Sequence, residues 1–334
     1  MANARGKLND LKKRSILSDR EKQIEQLKTL MKAFADTLSD DEVIYHYTSA
    51  EGLRGIIESN EIWLTNTAFV NDTTEGKILQ KSANLFGDTD FSNSYVEAKW
   101  KTFIRWPSED NNHYMISFSR KRNSLEQWRA YGSFCIGFEA KKLVNQSFNL
   151  YEGVYSDQEI KDWILQKEKI AEWQGGLLDD KLKDAAAFHL IYAASRKRKS
   201  DYYKEEKEVR LIAVSNHTWG FYHNSPSMFE KDPPIHFRVH SVYKVPVPYV
   251  KFFISKDEGK ENKQESVKET FIQMQERKLG EEKNKKREQL PIKEILIGPM
   301  QHQEGAKVGC KVLLEAKGYK NVDLNISDIP YRGF

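Results

Sequence analysis

The sequence predicts an α+β protein, because strand-like and helix-like segments are interspersed but do not alternate regularly as in a parallel βαβ sheet. Two observations carry this reading. EVRLIAV (208–214) alternates, with Val209, Leu211 and Ala213 on one face and Glu208, Arg210 and Ile212 on the other. Residues 157–173 and 178–198 instead carry apolar side chains every three or four positions, the helical period. A third observation concerns the core: 12% aromatic residues supply apolar bulk despite a mean hydropathy of −0.70. A disordered chain would lack that supply.

Residues 1–17 are basic and carry no apolar stripe, so they read as a loose arm. Ser18 and Glu21 then form a capping box. Ile24, Leu27, Leu30, Met31, Phe34 and Leu38 follow on one helical face. Packing on the domain is the plainer use of that face, and pairing with a second copy, giving a homo-oligomer, is the other. Residues 1–40 are thus an arm and amphipathic helix, and 41–334 one domain.

VIYHYT (43–48) reads as a strand, and Thr48 with Glu51 as a second capping box. Leu53, Ile56 and Ile57 mark a short helix, IWLTN a strand, and FVNDTTEG a polar turn into a helix near 75–86. Residues 88–112 carry no clear pattern. A strand at MISFS (115–119), a helix over 124–130 and a strand at FCIGFE (134–139) follow. Later strands are read at HFRV (236–239), YVKFFI (249–254), EILIGP (294–299) and VDLNI (322–326), with a helix over 304–317. Residues 256–289 are dense in Lys and Glu and read as a solvated helix or mobile insertion.

Composition narrows the function classes. A net charge of +4 over 334 residues permits a nucleic-acid partner without arguing for one. Two cysteines, Cys135 and Cys310, exclude a disulfide framework and suggest a reducing compartment. No stretch approaches the roughly 20 apolar residues of a membrane helix, so the expectation is a cytoplasmic protein without a membrane partner. There is no GxGxxG, P-loop, HExxH or GxSxG motif, which lowers the dehydrogenase, ATPase, zincin and hydrolase readings.

Four places could hold chemistry. Tyr45-His46-Tyr47-Thr48-Ser49 puts a His on a strand that runs into a helix N-terminus, an arrangement suited to anions. Asn71-Asp72 with Glu75 reads first as a turn and cap. Ser117 and Ser119 share a strand face, with Trp128 and Tyr131 arriving on the next helix; hydroxyls beside flat rings suit a planar heterocycle, although such aromatics are commonly core. Lys204-Glu205-Glu206-Lys207-Glu208 leads into an apolar strand, with Arg210 on the face of Glu208, and a simple Glu208–Arg210 ion pair at a sheet edge is the plain alternative. The basic run Arg196-Lys197-Arg198-Lys199 reads as a solvated helix end suited to the dipole, with contact to phosphates as its alternative.

The ordered set HYTSxxGLxxII, IWLTN, FVNDxxE, ISFS, SLxxWxxYG, IGFE, ExEVRL, EILIGP and SxIPYR resembles a large, mostly bacterial family of unknown function found among defence and mobile genes. The resemblance spans about Tyr45 to Arg332. Its opening block also resembles the ADP-ribosyltransferase fold of the His–Tyr–Glu type. That resemblance implies two small, mostly antiparallel sheets around a central cleft that binds NAD. His46, Tyr131 and Glu208 would be its catalytic positions. Ser117 and Ser119 would line the nicotinamide pocket, with Trp128 an alternative stacking ring and Tyr47, Thr48 and Arg210 beside the cofactor. It implies ADP-ribosyl transfer to a protein or nucleic acid, as in a toxin or antiviral effector. Hydrolysis of NAD in the same pocket, or a binding module without chemistry, are the alternatives. The bond broken passes through an oxocarbenium-like centre, which a carboxylate such as Glu208 can stabilise.

Overall fold

The structure, a computed structural model, describes residues 38–70, 113–145, 147–174, 180–214, 232–240, 244–256 and 271–330, with 29, 33–36, 96, 99, 100 and 242. The basic arm, most of the helix from Ser18, the Asn71–Glu75 turn, the helix near 75–86, residues 257–270 and Arg332 lie outside them.

In chain order the first described elements are β1 (Val43–Thr48), α1 (Ala50–Ser59), β2 (Ile62–Asn66), β3 (His113–Ser119), α2 (Leu125–Tyr131), β4 (Phe134–Glu139) and β5 (Phe148–Glu152). Then come α3 (Asp157–Gln174), α4 (Asp180–Lys197), β6 (Glu208–Val214), β7 (His236–Val239) and β8 (Pro246–Phe252). The last are α5 (Phe271–Asn284), β9 (Ile292–Ile297), α6 (Gln303–Ala316) and β10 (Asp323–Ile326).

These elements fall into two compact units, each built from separate stretches. One comprises Met1–Ala35, Gly76–Ser108 and Val154–Arg198, the other Asp36–Glu75, Glu109–Gly153 and Lys199–Phe334. Helical periodicity marks a helix but does not say which body it joins, so this division was not visible in the sequence.

In the first unit α3 and α4 share a core of Ile160, Ile164, Leu190 and Ile191 with Phe34 and Trp100. Arg196, Lys197 and Arg198 at its end, and Lys199 in the second unit, are all buried. The solvated helix end read from their charges is therefore corrected. Arg198 pairs with Asp157 at 2.8 Å, and the Lys197 ammonium lies 5.0 Å from the Trp163 ring centre.

Among the described residues the second unit holds a ten-stranded, mostly antiparallel sheet in which β9 and β10 run parallel. One face carries the main core: Ile44, Phe118, Ile136, Phe138, Val209 and Leu211, together with Leu53 and Ile57 of α1 and Leu314 of α6. The α+β class is the one observed. Two separate sheets are not; the ten strands form one hydrogen-bonded network. Yet that network has a seam. β6 runs along one whole edge of β3, from His113↔Val214 to Ser119↔Glu208. β1 and β2 must share the other edge, β2 at Thr65↔Met115 and Asn66↔Tyr114, β1 only at Tyr45↔Ser119. The sheet thus resolves into β10-β9-β4-β1 and β5-β6-β3-β2-β8-β7, joined through a single residue pair.

Two smaller corrections follow from side chains. Ser49, not Thr48, caps α1, its Oγ accepting from Gly52 N–H at 3.2 Å. The described part of the charged segment, α5, is not a solvated helix: Met274, Lys278 and Glu282 are buried. Glu282 pairs with His236 at 3.0 Å and with Lys251 at 3.6 Å, which ties α5 to β7 and β8.

Candidate functional site

Strand alternation sorts the proposed site residues. The pairs Ser117↔Arg210 and Ser119↔Glu208 lie opposite each other across β3 and β6, so these four side chains share the face away from the main core. Tyr45, opposite Ser119, shares that face. His46 does not. It alternates with Tyr45, lies beside Ile44 on the core face, and meets Phe118 edge-on at 5.8 Å.

His46 still reaches the seam. Its Nδ1 is 3.0 Å from the carbonyl oxygen of Ser117, a group left without a β1 strand partner where β1 and β3 part. Burial lowers the imidazole pKa, only partly offset by this hydrogen bond, so the ring is neutral at pH 7. A neutral ring facing a carbonyl must carry its proton on Nδ1 and donate it. Ser117 is thus held through its carbonyl, while its hydroxyl shares the outer face with Glu208 and helps keep that carboxyl's pKa low.

Glu208 is 5% exposed and Arg210 0%. The Glu208 carboxylate lies 2.8 Å from Lys199 Nζ and 3.0 Å from Arg210 Nη2. Burial alone would raise its pKa, but Arg210 and Lys199 together outweigh that and hold it at about 2. The sheet-edge ion pair considered from sequence is replaced by a buried cluster, because β6 sits between β3 and β5. Lys199 bridges onward to Glu206 at 2.6 Å, and its ammonium lies 4.4 Å from the Tyr203 ring centre. Burial opposes its charge, yet Glu208 and Glu206 push its pKa up overall.

Tyr131 is 39% exposed and donates from its hydroxyl to Glu206 at 3.4 Å, so the structure brings it to this cluster. Burial, then the Glu206 charge, raise its pKa to about 12. Trp128 and Tyr47 are different. Trp128 is 7% exposed, crossed edge-on by Tyr47 at 4.7 Å and tied through Nε1 to Asn123 at 2.9 Å. Tyr47 donates to the Lys121 carbonyl at 2.7 Å and accepts from Ser124 N–H. Both rings are enclosed and position the loop between β3 and α2; neither offers an open stacking face. Thr48 has a spacing role: its carbonyl oxygen lies 2.6 Å from where a Cβ on Gly132 would stand. Gly132 also has φ +125°, so the WxxYG turn requires glycine twice over.

No family model, curated protein or solved structure matches this chain.

Sequence reasoning gave neither Lys199 nor Glu206 a role of its own. Lys199 looked like the end of a basic run, and Glu206 like one of several acids in KEEKE (204–208). The available signal was the buried strand just after them: cations and acids that lead directly into an apolar strand are candidates for pairing at its mouth. Among the described residues, no group of three or more His, Cys, Asp or Glu side chains is placed to hold a metal, and no helix is long and apolar enough to cross a membrane.

Proposed function

We propose that this chain binds NAD on the outer sheet face beside the β1/β3 seam and transfers its ADP-ribosyl group to a macromolecule, protein or nucleic acid. One observation supports the reading above others. Three strands meet at Ser117, whose carbonyl is held by His46 and whose hydroxyl shares the outer face with Glu208. Breaking the nicotinamide–ribose bond releases neutral nicotinamide and leaves positive charge on the sugar. An ionised carboxylate beside an exposed hydroxyl is suited to stabilise that charge and orient the ribose. In this reading Tyr131 supplies a ring for the nicotinamide, Arg210 and Lys199 keep Glu208 ionised, and His46 is a positioning residue that acts through Ser117.

A second reading is favoured by a different observation: Glu208 is already saturated by two cations. A carboxylate so engaged suits a module that binds a nucleotide or partner without chemistry. The deciding experiment incubates the full chain with NAD labelled on its adenylate and follows nicotinamide release, free ADP-ribose and label on lysate macromolecules. Label on protein or nucleic acid is the expected result, and free ADP-ribose alone would indicate hydrolysis. NAD binding without nicotinamide release would favour the module, and no binding would end the proposal. Ser117→Ala, at an exposed position, is expected to slow release about ten-fold or more through lost orientation, with melting temperature nearly unchanged.

A further inference from the structure

We infer that residues Lys199–Lys207 form a strap that closes over Glu208 and must swing away before a ligand can meet that carboxylate. This rests on the proposed NAD site for its purpose, but the motion itself can be tested without NAD.

The strap is a 3-10 turn, Asp201–Glu206, joined to β6 through Lys207. Besides the Tyr131–Glu206 contact, four others fasten it. Lys199 reaches Glu208 at 2.8 Å, and Ser119 Oγ donates to the Glu206 carbonyl at 2.6 Å. Arg120 N–H donates to the Lys207 carbonyl at 3.1 Å, and Lys121 pairs with Glu205 at 2.9 Å. Beneath these contacts Ser119 is 2% exposed, although Ser117, two residues earlier on the same strand face, is exposed. The strap's Glu206 carbonyl covers Ser119, which Tyr45 also flanks across the seam.

Two features make the turn able to move. Lys207 has φ 44° and ψ 53°, a left-handed backbone that costs a non-glycine residue energy and so favours release at that joint. The outermost fastening, Lys121–Glu205, is solvent-exposed, with 75% of the Glu205 side chain accessible. A pair of this kind holds weakly and is screened by salt. The strap is therefore anchored firmly at its Lys199 end and lightly at Glu205.

A thiol at position 119 would report the opening, and the native thiols Cys135 and Cys310 are both buried. The experiment measures labelling of Ser119→Cys by a small thiol reagent in the full chain, alone and combined with Glu205→Lys, with amide exchange of β6 followed in parallel. Slow labelling is expected, rising about three- to five-fold with Glu205→Lys or at high salt, while β6 amides stay protected. Labelling at the rate of a free thiol would overturn the strap, as would a rate unmoved by Glu205→Lys. So would β6 exchange that rises in step with labelling, since that signals general unfolding. Nicotinamide release should rise by the same factor in Glu205→Lys. Faster labelling with no release in any variant would keep the strap and remove the NAD reading.

Discussion

Glu208 is a carboxylate that the fold needs and that the proposed reaction would also use. Its neighbours Lys199 and Arg210 were placed for it, so Glu208→Gln leaves two buried cations facing a neutral amide. Removing one member of a buried pair costs about 3–5 kcal/mol, far more than an exposed pair would. Loss of activity in that variant alone would not separate chemistry from stability, and the exposed Ser117 is the cleaner probe. The pH dependence follows from the same contacts. Glu208 has a folded pKa of about 2 against a usual 4.5. Because the folded value is the lower one, its contribution is whole above about pH 4.5 and is lost as pH falls towards 2. The contribution is roughly 3 kcal/mol. Acid titration of denaturant midpoints should show this loss in the wild type and a flatter profile in Glu208→Gln.

At the scale of elements, α5 carries the sharpest expectation. Its charges made it look dispensable, yet Glu282 holds His236 and Lys251 beneath the helix. Glu282→Ala should lower stability by about 3 kcal/mol, read as a lower denaturant midpoint at unchanged slope. Deleting 271–284 should abolish soluble protein. Much of the sheet was legible: EVRLIAV, FCIGFE and HFRV match β6, β4 and β7 residue for residue. Alternation identifies a strand wherever one face is buried. β5 escaped notice because its burial does not alternate cleanly: the adjacent Leu150 and Tyr151, on opposite faces, are both buried. The facing of His46 escaped for another reason. A strand's alternation shows which residues share a face, but not which face of β1 continues the face of a strand far away in sequence.

For the whole molecule, the chain leaves the sheet unit after Gly153 and re-enters it at Lys199. The run Arg196-Lys197-Arg198-Lys199 ends one excursion with four consecutive cations, each buried. To a trypsin-like protease these are four adjacent cleavage sites that folding withdraws from reach, since cutting requires an extended, accessible backbone. Brief digestion of the native protein should therefore spare all four bonds while exposed lysines elsewhere are cut. Cleavage would begin there only as denaturant opens the structure. A fragment ending at one of these residues, quantified by mass spectrometry, then becomes a built-in gauge of how much of the protein is unfolded at any moment, with no added label.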